Sequence, residues 1–367
     1  MAKPGASRRG VAPRAFTIVE LLVALSIIAL LVAILLPALG RARDAAMQTQ
    51  SAAHLRNMSV ANAAYAADWS DRQWTAVPDD AGLFNGDCAA YVAVACPPQL
   101  ILGWNEIGQA IGYFIGQGKC AQYDYPGNCG NWAAYVPINW GSNASIGSFR
   151  LPNAKSFNTY LNGRFYDPVF YAPKDTLVYD SASKWFGVAA EFTTNPAGTE
   201  IHNSSYCFSP AAMWSPEVLA CRNNGWRDPN TLPTGYKSPA AGQAAYPDLK
   251  TRMLEHHWLQ NKPNSEANGN VVPPPGASRI PWYFNHGYDS APLTLFFDGH
   301  VSLMSVAEAM DADERATCDE VNGLWSRTTP MLDNGYYGDL AYDTLANTSF
   351  HILTLDGVLG RDSLGAK

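Results

Sequence analysis

Between residues 16 and 39 the chain reads FTIVELLVALSIIALLVAILLPAL, an apolar run that carries a single charge, Glu20, and one proline, Pro37, near its far end. As a helix, such a run is roughly 36 Å long, enough to cross the hydrocarbon of a bilayer with some tilt. A membrane span is the reading that length and polarity demand. The preceding residues 1–15 carry Lys3, Arg8, Arg9 and Arg14 and no acid. The positive-inside bias therefore holds this end in the cytoplasm and sends the remainder outward.

Three kinds of segment share these properties. A secretory signal peptide would find a small-x-small cleavage site at Ala38-Leu39-Gly40, but its apolar core is usually only about 7–15 residues and has no use for a glutamate. A plain signal anchor leaves Glu20 equally unexplained. The third reading gives the carboxylate a role. Residues Arg14-Ala15-Phe16-Thr17-Ile18-Val19-Glu20-Leu21-Leu22 resemble the processing site of type IV prepilins and of the pseudopilins of type II secretion. That resemblance implies a basic leader, 1–15, cut between Ala15 and Phe16 by a prepilin peptidase, and methylation of the new amine on Phe16. It also implies an assembly role for Glu20, fifth from the cut, and a helix kink at Pro37, twenty-second from it. One position departs from the family: Ala15 stands where glycine is usual. The resemblance covers about the first sixty residues.

The remaining composition fits an exported globular body. Residues 70–367 are long enough to bury a full core, and a hydrophobic content of 47% excludes disorder. Loss of the leader takes Lys plus Arg from 25 to 21 against 32 acids, moving the formal net charge from −7 to −11. An acidic body lacks the basic surface that nucleic-acid binding needs. All seven cysteines lie beyond the apolar run. In an oxidising compartment their local order favours Cys88–Cys96, Cys120–Cys129 and Cys207–Cys221; the alternative is reduced, buried thiols.

Past the apolar run, residues 41–69 contain ten alanines and no Gly or Pro, so the helix should continue to about residue 69. Leu55, Met58, Asn62, Tyr65 and Trp69 fall on one stripe, the face to be buried. Apolar spacing predicts further helices over 100–115, 246–260 and 306–323, the last ending at Gly323. Ser205-Tyr206-Cys207 reads as a strand. Phe170 to Asp175 contains a Tyr-x-Pro-x-Asp stretch similar to ones in large pilin-like proteins of planctomycete type.

Residues 293–301, LTLFFDGHV, alternate around Asp298-Gly299, the pattern of a two-residue hairpin with a type I′ turn. Together with His286 this segment resembles a C-terminal signature of prepilin-type proteins, a His, nine residues and then Asp-Gly; here eleven residues separate His286 from Asp298. Residues 350–359 repeat the pattern and predict a second hairpin. His286, Asp298 and His300, with His256 and His257, could form a metal set only if the strands align, and a turn aspartate bonding its own backbone is the commoner use. No phosphate loop, nucleophile elbow or H-E-x-x-H is present, so neither catalysis nor a cofactor is expected.

The expected fold is α+β and pilin-like, a long N-terminal transmembrane and amphipathic helix (16–69) packed on a loop-rich antiparallel β-sheet head (70–367). The expected protein is a structural subunit of a type IV pilus-like or type II secretion filament. Its partners would be a prepilin peptidase, further pilin-like subunits and the membrane. It would sit as a single-pass protein in the inner membrane with its head outside, then in a filament in the periplasm or at the cell surface. With 11 Trp, 18 Tyr and 14 Phe, the alternative is a surface-binding protein, for example for glycans, that uses the helix only as an anchor.

Overall fold

The computed structural model describes residues 17–75, 152–187, 204–255, 290–330 and 349–365, the backbone of 100–104 and 110–113, and a few single residues between 83 and 149. In chain order the elements are α1 (Ile18–Asp68), β1 (Leu100–Trp104), β2 (Ala110–Tyr113), α2 (Lys155–Asn158), α3 (Thr176–Ser183), β3 (Tyr206–Phe208), α4 (Pro210–Met213), β4 (Thr251–Glu255), β5 (Leu293–Phe296), β6 (Val301–Leu303) and α5 (Val306–Arg315), with short 3-10 turns between them. The fold is α+β: a long N-terminal apolar helix and a head built on a four-stranded antiparallel sheet of order β3-β4-β5-β6. The chain divides into two compact units, one ending at Met47 and the other beginning at Gln48.

In the first unit α1 runs unbroken through Pro37, whose missing N–H leaves the carbonyl four residues earlier without its helical donor. Leucine, isoleucine and valine side chains from Ile18 to Leu39 are exposed or nearly so. This stretch is long and apolar enough to cross a membrane.

In the second unit the later turns of α1 are a core element. Leu55, Met58 and Ala61 join Phe208, Met253, Leu254 and Leu295 in one hydrophobic cluster. Full burial of a Leu or Met contributes about 1.5–3 kcal/mol, so Leu55 and Met58 hold the helix to the sheet. The buried stripe follows the expected spacing but starts a turn earlier, at Ser51 and His54, and ends at Ala66. Trp69 is 55% exposed and stacks on Tyr65, ring centroids 5.6 Å apart, instead of entering the core.

Three expected helices are corrected. Of the expected helix at 100–115, the described residues 100–104 and 110–113 form the antiparallel pair β1–β2, because Gly103 and Gly112 each cost a helix about 1 kcal/mol while Ile, Trp and Tyr suit a strand. Of the expected helix at 246–260, the described residues 246–255 hold a turn followed by β4, a strand buried along its whole length. The four-residue periodicity there was shared by a central strand whose polar Arg252 and Glu255 hid its burial. Helix α5 starts at its Ser305 cap, which accepts from the Glu308 N–H at 3.4 Å, but stops at Arg315; residues 317–323 close a turn in which Cys318 N–H donates to Asn322 O at 2.9 Å.

The β5–β6 hairpin is present with a different turn. Phe296 and His300 face each other across Phe297, Asp298 and Gly299: Gly299 N–H donates to Phe296 O at 3.1 Å and Phe296 N–H to His300 O at 3.0 Å. Gly299 has φ +89° while Asp298 keeps a negative φ, so this is a three-residue loop with a glycine bulge, not a type I′ turn. The expected hairpin at 350–359 is a run of turns. Its backbone pairs with residues 324–326, Leu355 N–H to Leu324 O at 2.9 Å and Ser326 N–H to Leu353 O at 3.0 Å.

Candidate functional site

At the start of α1, Thr17 and Glu20 form a capping box. Glu20 N–H donates to Thr17 Oγ1 at 3.2 Å, while Glu20 Oε2 accepts from Thr17 N–H at 2.9 Å and from Thr17 Oγ1 at 2.8 Å. Glu20 thus has hydrogen-bond partners within its own chain, both supplied by Thr17. Its hydrogen bonds are local, but its charge faces no cation among the described residues, and Oε1 accepts no hydrogen bond there. Beyond Glu20 the next charges are Arg41, whose Nε donates to Pro37 O at 3.4 Å, and Arg43. Ala15 and Phe16 lie outside the described residues.

The second half of α1 meets the sheet through a buried polar cluster that sequence reasoning missed. Ser51 Oγ donates to Glu255 Oε1 at 2.6 Å and lies 2.7 Å from Tyr206 Oη, which is 3.4 Å from His54 Nδ1; Glu255 Oε2 accepts from Leu293 N–H at 3.1 Å. Burial pushes the Tyr206 hydroxyl well above its usual range, with Glu255 adding to it, and pushes His54 down. Asn62 spans the same interface, its Nδ2 donating to Met58 O at 2.8 Å and touching Met253 Sδ at 3.7 Å. The three-four spacing back from Leu55 was the signal for Ser51.

A second buried set ties the chain end to β4. Lys250 Nζ lies 3.1 Å from both Asp362 oxygens and 2.8 Å from Thr354 Oγ1. Asp362 also accepts from the Thr251 and His351 N–H groups, at 2.9 and 3.0 Å, and from Thr354 Oγ1. Burial opposes the Asp362 charge, but Lys250 and these donors hold its carboxyl below the usual range. Burial pushes His351 down to about 3.

Asp298 and Gly299, from the C-terminal signature, occupy the hairpin turn. Asp298 Oδ1 accepts from His300 N–H at 3.0 Å and contacts His300 Nδ1 at 2.6 Å, and the His300 ring stacks on Phe296. This is the turn role. His256, His257 and His286 lie outside the described residues, as do Cys88, Cys96, Cys120 and Cys129. Among the described residues the one cluster of three ligating groups is Cys221, Cys318 and Asp319, and its two sulfurs are bonded to each other. The Cys207–Cys221 pairing is thus corrected: Cys221 bridges to Cys318, Cα–Cα 6.0 Å, and Cys207 is a thiol buried in β3. In β3, Cys207 is part of the hydrophobic core. In the Tyr-x-Pro-x-Asp stretch Tyr171 is buried and Asp175 accepts from Ser205 Oγ at 2.7 Å, joining α3 to β3.

Residues 12–36 match the family described as the prokaryotic N-terminal methylation motif. No curated protein and no solved structure matches the chain. The motif covers the leader-to-helix junction and stops one residue short of Pro37, so it marks the N-terminal segment as type IV pilin-like and leaves the head to its own geometry.

Proposed function

We propose that this chain is a structural subunit of a type IV pilus-like or type II secretion filament, made as a prepilin, cut between Ala15 and Phe16 and methylated on Phe16. One observation carries the reading: the methylation motif falls on a helix whose apolar side chains are exposed and whose single charge up to residue 40 is Glu20. In this reading the inner membrane holds the helix until subunits assemble.

An intramembrane carboxylate costs roughly 2.5–3.5 kcal/mol at the bilayer centre, less toward the interface. Thr17 supplies hydrogen bonds to Glu20 but no charge. Cleavage removes the basic leader and creates an amine at Phe16. The Phe16 amine of a neighbouring subunit then neutralises Glu20, with Oε1 as the oxygen left to receive it. Assembly thereby depends on cleavage.

The test compares wild type, Glu20→Leu and Glu20→Gln for processed protein in membrane and sheared-filament fractions. Both variants should insert and be cut, and Glu20→Leu should be depleted from filaments at least tenfold. Glu20→Gln keeps a capping side chain but no charge, so it should also fail or be partly impaired. Full filament entry of Glu20→Leu contradicts the pairing, and full rescue by Gln alone reduces Glu20 to a helix cap.

A second reading, an anchored surface-binding protein, draws on the exposed Trp69, which stacks on the half-buried Tyr65. The burial of Trp74, Trp214, Trp325, Tyr171, Tyr206 and Phe208 supports the structural role instead.

A further inference from the structure

Lys250 stands immediately before β4 and Asp362 near the chain end, and both side chains are fully out of water. Lys250 Nζ lies 3.1 Å from each Asp362 oxygen, so it faces Cγ, within the roughly 3–3.5 Å of a near-attack arrangement. Both backbones are fixed. Lys250 N–H donates to Tyr246 O at 2.9 Å and Lys250 O accepts from Phe297 N–H at 3.2 Å, while Asp362 N–H donates to Leu249 O at 2.9 Å. The amine and the carboxyl carbon are thus held against each other without water between them.

Thr354 joins the two groups. Its Oγ1 accepts from Lys250 Nζ at 2.8 Å and donates to Asp362 Oδ1. One hydroxyl therefore connects the nitrogen that must lose protons to the oxygen that must leave, if the two are to condense. Asp362 Oδ2 accepts from the Thr251 N–H at 2.9 Å, a donor placed to hold negative charge on that oxygen. The ion pair is the starting form, yet burial acts against each of its charges. Transfer of one proton from Nζ through Thr354 to Oδ1 removes both at once and leaves a neutral amine beside a neutral acid.

We propose that Lys250 and Asp362 condense after folding into an intramolecular isopeptide bond between Nζ and Cγ, with release of one water. From the neutral pair, the Nζ lone pair attacks Cγ and the carbonyl electron pair moves onto Oδ2, held by the Thr251 N–H. A second proton follows the same path through Thr354 to Oδ1. The Cγ–Oδ1 bond then breaks, Oδ1 leaves as water with that electron pair, and the carbonyl re-forms at Oδ2. One hydrogen stays on Nζ as the amide N–H, both charges vanish, and nothing is oxidised or reduced. Exchange of a buried charge pair for a neutral amide favours the product. The bond ties the chain end to β4 covalently, independent of redox conditions and of N-terminal processing. His351 stays neutral before and after it, because burial is the first cause of its low value.

The test is mass spectrometry of the purified full chain, reduced and denatured, before and after digestion. The peptides carrying Lys250 and Asp362 should appear as one branched species, lighter by one water than their sum, and the whole chain should be lighter by the same amount. Lys250→Met should show the mass of its full sequence, which places the loss at this site. Among folded molecules, Thr354→Val should lower the crosslinked fraction at least tenfold, and Thr354→Ser, which keeps the hydroxyl, should restore it. Separate linear peptides and a full chain mass in wild type overturn the proposal and leave a structural ion pair; that result needs no variant to fold. A water loss that survives Lys250→Met, or equal crosslinking in Thr354→Val, overturns it as well.

Discussion

At the scale of single residues, the chemistry lies in charges removed from water. Glu20 keeps its charge on an apolar helix with only Thr17 for support, whereas Lys250 and Asp362 are fully buried and satisfy each other. His351 sits beside that pair and must stay neutral. Its folded value is about 3 because burial disfavours the imidazolium by more than the neighbouring Asp362 favours it, and Lys250 adds to the penalty. The unfolded histidine titrates near ~6.5. Between these values the unfolded chain holds a proton that the folded chain does not, so stability falls as pH drops through that window. His54, also pushed down by burial, acts in the same direction. Tm of the full chain in detergent should therefore decline from about pH 6.5 toward pH 4, with His351 contributing up to ~1.4 kcal/mol per pH unit. His351 has φ +57°, a region that asparagine tolerates, so His351→Asn should flatten the decline. Parallel profiles for the two proteins would contradict the assignment.

Among the elements, α1 was legible because apolarity, alanine content and spacing agreed along its length. The β5–β6 pair was legible from alternation, and β3 falls within one residue of the strand expected at Ser205-Tyr206-Cys207. Strand β4 was not: TRMLE is buried throughout, and its glutamate meets a serine on another element, a contact that no local pattern encodes. The second Asp-Gly, at 356–357, has positive φ at both residues, yet its flanks pair with residues 324–326 instead of each other. The turn chemistry was readable there and the long-range partner was not. The same holds for the cysteines, since proximity in sequence pointed to Cys207–Cys221 while the fold brings Cys221 to Cys318, 97 residues away. Closing a loop of that length contributes about 4.7 kcal/mol in the chain-entropy model. Non-reducing peptide mapping should recover a Cys221–Cys318 crosslink, and Cys221→Ser should lower Tm by several degrees. Recovery of Cys207–Cys221, or alkylation of both Cys221 and Cys318 without reductant, would contradict this topology.

For the whole molecule, one helix serves two solvents. Its first half exposes leucine, isoleucine and valine, and its second half buries Leu55, Met58 and Ala61 against the sheet. The methylation motif covers only the first of these halves, so the filament reading stands or falls on what happens at residue 16. The most direct measurement is mass spectrometry of the N-terminal peptide of the protein isolated from membranes. The expected product is a chain beginning at Phe16 and carrying one methyl group on its amine. A chain beginning at Arg41 would return the segment to a secretory signal, and an intact Met1 would leave a plain anchor; either result contradicts the filament reading.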